Sequence, residues 1–66
     1  MNITVNGQII SLHEPSTVSD LIDRFEMTDR PCAVEVNREL IPKKQHNSHT
    51  IRNGDQVEIV TLVGGG

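Results

Sequence analysis

Sixty-six residues, 35% hydrophobic and 23% charged, make one small domain with room for a single sheet and a helix. That balance excludes a disordered, collagen-like or low-complexity chain. Six Lys and Arg against nine Asp and Glu leave a net charge of −3, and Phe25 is the sole aromatic residue, so the basic stripe and stacking platforms that nucleic acid requires are missing.

A lone cysteine, Cys32, excludes an internal disulfide and a cysteine cluster for zinc. The longest apolar runs are pairs and triplets such as Ile9-Ile10, far short of the roughly 20 residues that cross a bilayer. The N-terminus begins with the strand-like Met1-Asn2-Ile3-Thr4-Val5 rather than an export signal, so a cytoplasmic protein without membrane partners is expected.

Along the chain, Ile3-Thr4-Val5 and Ile10-Ser11-Leu12 alternate on either side of Asn6-Gly7, a dipeptide that tolerates positive φ, which predicts a β-hairpin. Glu14-Pro15-Ser16 stops the second strand, and Thr17 with Asp20 three residues on predicts a helix start near Val18. Val18, Leu21, Ile22 and Phe25 then form one apolar stripe, while Ser19, Asp20, Asp23 and Arg24 face away. Phe25 is expected to be the most sensitive core position. Met27 closes the stripe before Thr28-Asp29-Arg30-Pro31, where proline forbids continuation.

Cys32-Ala33-Val34-Glu35-Val36 predicts a third strand with Val34 and Val36 on one face, and Asn37 suits the left-handed turn into Leu40-Ile41, which Pro42 ends. Residues 43–50 contain no apolar side chain and predict a solvated loop or 3₁₀ turn before Ile51 returns to the core. After a turn at Asn53-Gly54, the run from Val57 to Val63 is the most β-prone of the chain. The order is β-β-α-β-β, with room for a short extra strand near Leu40. The expected core sets the helix stripe against Ile3, Val5, Ile10, Leu12, Val34, Val36, Val57 and Ile59.

The phosphate-loop, nucleophile-elbow and metalloprotease patterns are absent, and an enzyme is not expected. His46 and His49 are three apart, but no third ligand is indicated, so they read as two solvated histidines rather than a metal site. Cys32 opens an apolar strand and reads as a small packing residue rather than a sulfur acceptor.

The feature without a local structural reason is Gly64-Gly65-Gly66, directly after the strongest strand. It is either a frayed end or linker scar, or a slim tail that an enzyme threads to bring the carboxylate to a buried site. A carboxylate is a poor electrophile. The chemistry for such an end is activation by ATP to an acyl-adenylate, which sulfur or an amine then attacks.

Val5-Asn6-Gly7, Thr17-Val18 with Leu21, Ala33-Val34, Val36-Asn37, Ile41-Pro42 and above all Gly54-Asp55-x-Val57-Glu58-Ile59-Val60 leading into Gly65-Gly66 resemble the sulfur-carrier proteins of thiamine biosynthesis across the whole chain. The resemblance implies a ubiquitin-like β-grasp fold, α+β, with a mixed four- to five-stranded sheet and one helix packed on one face. Residues 1–63 would form the domain and 64–66 a flexible tail.

By the same resemblance, Gly66 would be adenylated by an E1-like adenylyltransferase, while Gly64 and Gly65 let the tail thread. A persulfide donor such as a cysteine desulfurase would then supply sulfur for a thiocarboxylate, which thiazole synthase consumes. The chain would be a monomeric cosubstrate, not an enzyme, without a cofactor of its own because the activating enzyme uses the ATP. Arg38 stands where the family often has glycine, and His46 where many relatives have an aromatic. The molybdopterin sulfur carrier, usually longer, and a small ubiquitin-like modifier are the alternatives.

If Val57 and Ile59 face the helix, strand alternation turns Val60 and Leu62 to the opposite face, beside the tail. With Asp55 and Glu58 these residues are the expected partner surface, complementary to a basic enzyme face. The alternative is that the loop 43–50 covers them.

Overall fold

The structure, a computed structural model, describes residues 1–62. The tail Gly64-Gly65-Gly66, with the domain boundary expected at residue 63 and the adenylation and threading roles expected of the glycines, lies outside the described residues.

Asn6 (φ 49°) and Gly7 (φ 84°) both take the left-handed conformation that the sequence predicts, and they join β1 (Asn2–Val5) to β2 (Gln8–Ser11) in an antiparallel hairpin. At the end remote from that turn, the Met1 ammonium donates to the Leu12 carbonyl at 2.8 Å. β3 (Cys32–Val36) and β4 (Glu39–Ile41) form a second hairpin around Asn37 (φ 52°) and Arg38 (φ 70°). The last strand, β5 (Gln56–Thr61), runs between the hairpins, parallel to β1 and antiparallel to β3. Among the described residues the sheet order is β2-β1-β5-β3-β4, a five-stranded mixed sheet.

One helix, α1 (Val18–Arg24), crosses one face. Its start is a capping box: the Asp20 amide donates to Thr17 Oγ1, and the Thr17 amide donates to the Asp20 carboxylate. The next two donors are met by the loop opposite, since the Val18 amide donates to the His49 carbonyl and the Ser19 amide to that of His46.

The helix ends at Phe25, well before Pro31, so proline is not what stops it. Glu26 takes φ 58°, its amide donates to the Asp23 carbonyl, and the Met27 amide donates to that of Ile22, a Schellman turn that seats Met27 over the end of the stripe.

The core lies between α1 and the sheet: Ile3, Val5, Leu12, Val18, Leu21, Val34, Val36, Val57 and Ile59, completed by Ile41 and Ile51. Ile10, Ile22 and Phe25 pack against it while partly exposed. Phe25 is therefore not the centre of the core. It sits at the helix cap, where the stripe runs out, and Val18 and Leu21 fill the middle instead, at 0% and 1% exposure. The helix lying across one face of this mixed sheet is the β-grasp architecture.

Candidate functional site

The chain reaches its tail through β5. Val57 and Ile59 point into the core, which turns Glu58 and Val60 to the open face, away from α1. Val60 is 54% exposed and stands opposite Ala33 on β3. Leu62, 52% exposed, is held at the end of the central strand by its amide, which donates to the Pro31 carbonyl at 2.8 Å. Residues 43–50 do not cover either side chain. That stretch forms a 3₁₀ turn, Lys43–Gln45, and lends its carbonyls to the start of α1.

Glu58 lies on the same face, directly across from Glu35 of β3, which in turn pairs with Leu40 of β4. Like charges in direct cross-strand register are mutually unfavourable. Among the described residues the one ion pair is Arg30 with Asp29, so neither glutamate has a cation beside it. Glu35 and the exposed Leu40 escaped the sequence reading because β3 and β5 are far apart in the chain, and only their register brings the two glutamates together.

Asp55 is not part of this face. It precedes β5, at the end of the strand remote from Leu62, and its carboxylate accepts hydrogen bonds from the Arg52 amide (2.8 Å) and from Asn37 Nδ2 (3.0 Å). Asn37 Oδ1 accepts in turn from the Gln56 amide. Asp55 thus ties the turn at Gly54 (φ 85°) to the β3–β4 turn, which gives its place in the Gly54-Asp55 motif a structural reason.

The two histidines are not both solvated. His46 is buried, and its Nε2–H donates to the Ile41 carbonyl at 3.1 Å, so it fills the space beneath the loop as a hydrogen-bonded core residue. His49 is half-buried and contributes its backbone carbonyl to the helix start. Cys32 is half-buried and packs on the core edge, with its thiol against the Arg30 carbonyl at 3.3 Å, in line with a packing role.

Comparison with known proteins extends over the full chain. The model of the ThiS family matches residues 2–66. The sulfur carrier protein ThiS of Escherichia coli is 26% identical over 66 residues, covering the whole of both chains. A thiazole synthase of Paramagnetospirillum magneticum is 33% identical over the same length, and there the chain accounts for only 20% of the larger protein. The crystal structure of the thiamine biosynthesis protein ThiS from Geobacter metallireducens superposes with a TM-score of 0.83 at 30% identity, with full coverage of both chains. The chain belongs to the ThiS family: it is a ubiquitin-like β-grasp sulfur carrier of thiamine biosynthesis.

Proposed function

We propose that the carrier works through the carboxyl group of Gly66. An E1-like adenylyltransferase joins that carboxylate to the α-phosphorus of ATP, with pyrophosphate leaving, to give an acyl-adenylate. The terminal sulfur of a persulfide, such as one made by a cysteine desulfurase, attacks the carbonyl and expels AMP. A second thiol then cleaves the resulting acyl disulfide, leaving the thiocarboxylate on Gly66 and a disulfide behind. An ionised sulfur is a good nucleophile at neutral pH, and thiazole synthase takes it from the carrier.

On this reading the chain is a cosubstrate rather than a catalyst. It carries no cofactor of its own, and the ATP belongs to the activating enzyme. Gly64 and Gly65 let the tail enter a narrow channel, and Val60, Leu62 and Glu58 are the surface presented to the partner. The free chain acts as a monomer in the cytoplasm, where a free thiol such as Cys32 persists. Among the described residues no helix is long and apolar enough to cross a membrane.

The observation that carries this reading is the family match itself, which runs through Gly66 and so includes the tail. The likeness of the whole chain to one-fifth of a thiazole synthase supports that enzyme as the acceptor, because a carrier-like segment is there part of the synthase chain.

The test is incubation with the cognate activating enzyme, ATP and a persulfide donor, read by intact mass. The parent should exchange one oxygen for sulfur, whereas chains lacking Gly66 or extended by one residue should not. Parental turnover by either altered chain would remove Gly66 from the chemistry.

A further inference from the structure

β2 and β4 are the outer strands of the sheet, and they meet solvent differently. Met1 and Leu12 exchange both of their backbone hydrogen bonds, the Met1 ammonium donating to the Leu12 carbonyl and the Leu12 amide to the Met1 carbonyl. Antiparallel alternation then makes Ile3 with Ile10 and Val5 with Gln8 the bonded pairs, and turns the N–H and C=O groups of Ile9 and Ser11 away from β1. Neither residue finds another backbone partner among the described residues.

The other edge is blunted. β4 has three residues, opens on the exposed Glu39 and runs into Pro42. Val36 and Glu39 flank a two-residue turn and bond to each other, so Leu40 faces outward, and at the next outward position Pro42 has no N–H to give. β2 has none of these devices: Gln8-Ile9-Ile10-Ser11 holds no charge, no proline and no bulge, and Ile9 is 78% exposed.

We propose that β2 pairs antiparallel with β2 of a second copy of this chain, about a two-fold axis through Ile10. Ile9 of each copy then faces Ser11 of the other and exchanges two backbone hydrogen bonds with it. Ile10, half-buried on the helix side, meets its own counterpart, while the two Ile9 side chains approach diagonally on the open face. A second copy is the occupant this strand fits. Two uncharged segments meet without like-charge contacts, and one symmetric register satisfies both, whereas a strand of another sequence finds no charge on β2 to select it.

Four residues give a seam of about 14 Å, well short of the roughly 800 Å² per partner of a stable complex, so Kd should be about 1 mM. The chain is a monomer when dilute and pairs where it is concentrated. The two-fold axis stands perpendicular to the joined sheet, so the two β5 strands run in opposite directions and the chain ends leave at opposite ends. Pairing is therefore independent of the role assigned to Gly66. With a net charge of −3 on each copy, added salt screens the repulsion and strengthens the pair.

The test is a dilution series of the isotope-labelled chain, followed by NMR from about 2 mM to about 0.05 mM. As concentration rises, the Ile9, Ile10 and Ser11 amide shifts should move along one curve, the Ile9 and Ser11 amides should exchange more slowly with solvent, and translational diffusion should fall. Added salt should shift that curve to lower concentration.

Ile9→Lys sets two ammonium groups beside each other across the seam and should weaken pairing by about tenfold or more. The position is so exposed that the rest of the spectrum should keep its parental shifts. Leu40→Lys makes the same charge change on the other edge and should leave pairing within about twofold of the parent. The proposal is overturned if the parent shows no concentration dependence up to about 2 mM, or if Ile9→Lys pairs as the parent does. It is equally overturned if Leu40→Lys weakens pairing as much as Ile9→Lys, because the contact would then lie on the open face.

Discussion

The side-chain amide of Asn6 takes the place of a strand residue beside Ile59: Nδ2 donates to the Ile59 carbonyl at 3.1 Å, and Oδ1 accepts from the Ile59 amide at 2.9 Å. The backbone pairing of β1 with β5 ends at Val5 and Val57, and the Asn6 amide donates to the Val57 carbonyl, so one side chain extends the ladder toward the tail. Asn6→Gly keeps the left-handed backbone accessible and removes the carboxamide side chain. It should cost about 1–2 kcal/mol of stability and speed hydrogen exchange at the Ile59 amide. Unchanged protection of that amide by NMR would refute the role.

Of the four non-glycine residues at positive φ among the described residues, two are not asparagine: Glu26 in the Schellman turn and Arg38 in the β3–β4 turn. Glu26→Gly and Arg38→Gly should each stabilise the domain by about 0.5–1 kcal/mol, the relief of strain exceeding the added freedom of the unfolded chain. Each gain should raise the melting temperature by a few degrees, at about 4–8 °C per kcal/mol. A fall in the melting temperature of either variant would show that its side chain makes a compensating contact.

Truncation along the helix should follow burial rather than side-chain size. Leu21→Ala opens the middle of the core and should cost about 2–5 kcal/mol. Phe25→Ala removes a partly buried ring at the cap and should cost less, about 1–2 kcal/mol. Urea denaturation of the two variants orders them directly, and a larger loss for Phe25→Ala would place the ring deeper in the core than the structure does.

Asp55→Ala should be a stability variant and not a docking variant. Removing the carboxylate leaves the Arg52 amide and Asn37 Nδ2 without their acceptor, at a cost of about 1–2 kcal/mol. In the sulfur-transfer assay, at a temperature where the variant remains folded, KM for the carrier should stay at the parental value. A tenfold rise would return Asp55 to the partner surface.

What was legible in the sequence was what is local. Asn6-Gly7, Asn53-Gly54 and the Thr17–Asp20 box each specify a backbone conformation within four residues, and each is found where the sequence places it. Strand alternation likewise put Val60 and Leu62 on the face away from the helix. The end of α1 was misplaced because a glutamate at φ 58° is a poor advertisement for a Schellman turn, while Pro31 is a conspicuous stop signal.

The remaining differences come from contacts that local pattern does not encode. His46 is polar and sits in a polar run, yet a single bond to the Ile41 carbonyl lets it be buried. The charge of Asp55 suggested a surface role, whereas its partners are Arg52 and, across the sheet, Asn37. Glu35 meets Glu58 only once the strand order is known, so their juxtaposition was invisible in one dimension.

The bond from the Met1 ammonium to the Leu12 carbonyl marks where the chain enters the fold. Thr4 pairs with Gln56 in parallel register, Met1 lies three residues behind that pair and Leu62 six residues ahead, so entry and exit are separated by about 30 Å along the strands. A peptide attached ahead of Met1 therefore departs from the opposite pole of the molecule. The carrier can be leashed, immobilised or fused through its first residue at the pole remote from Leu62.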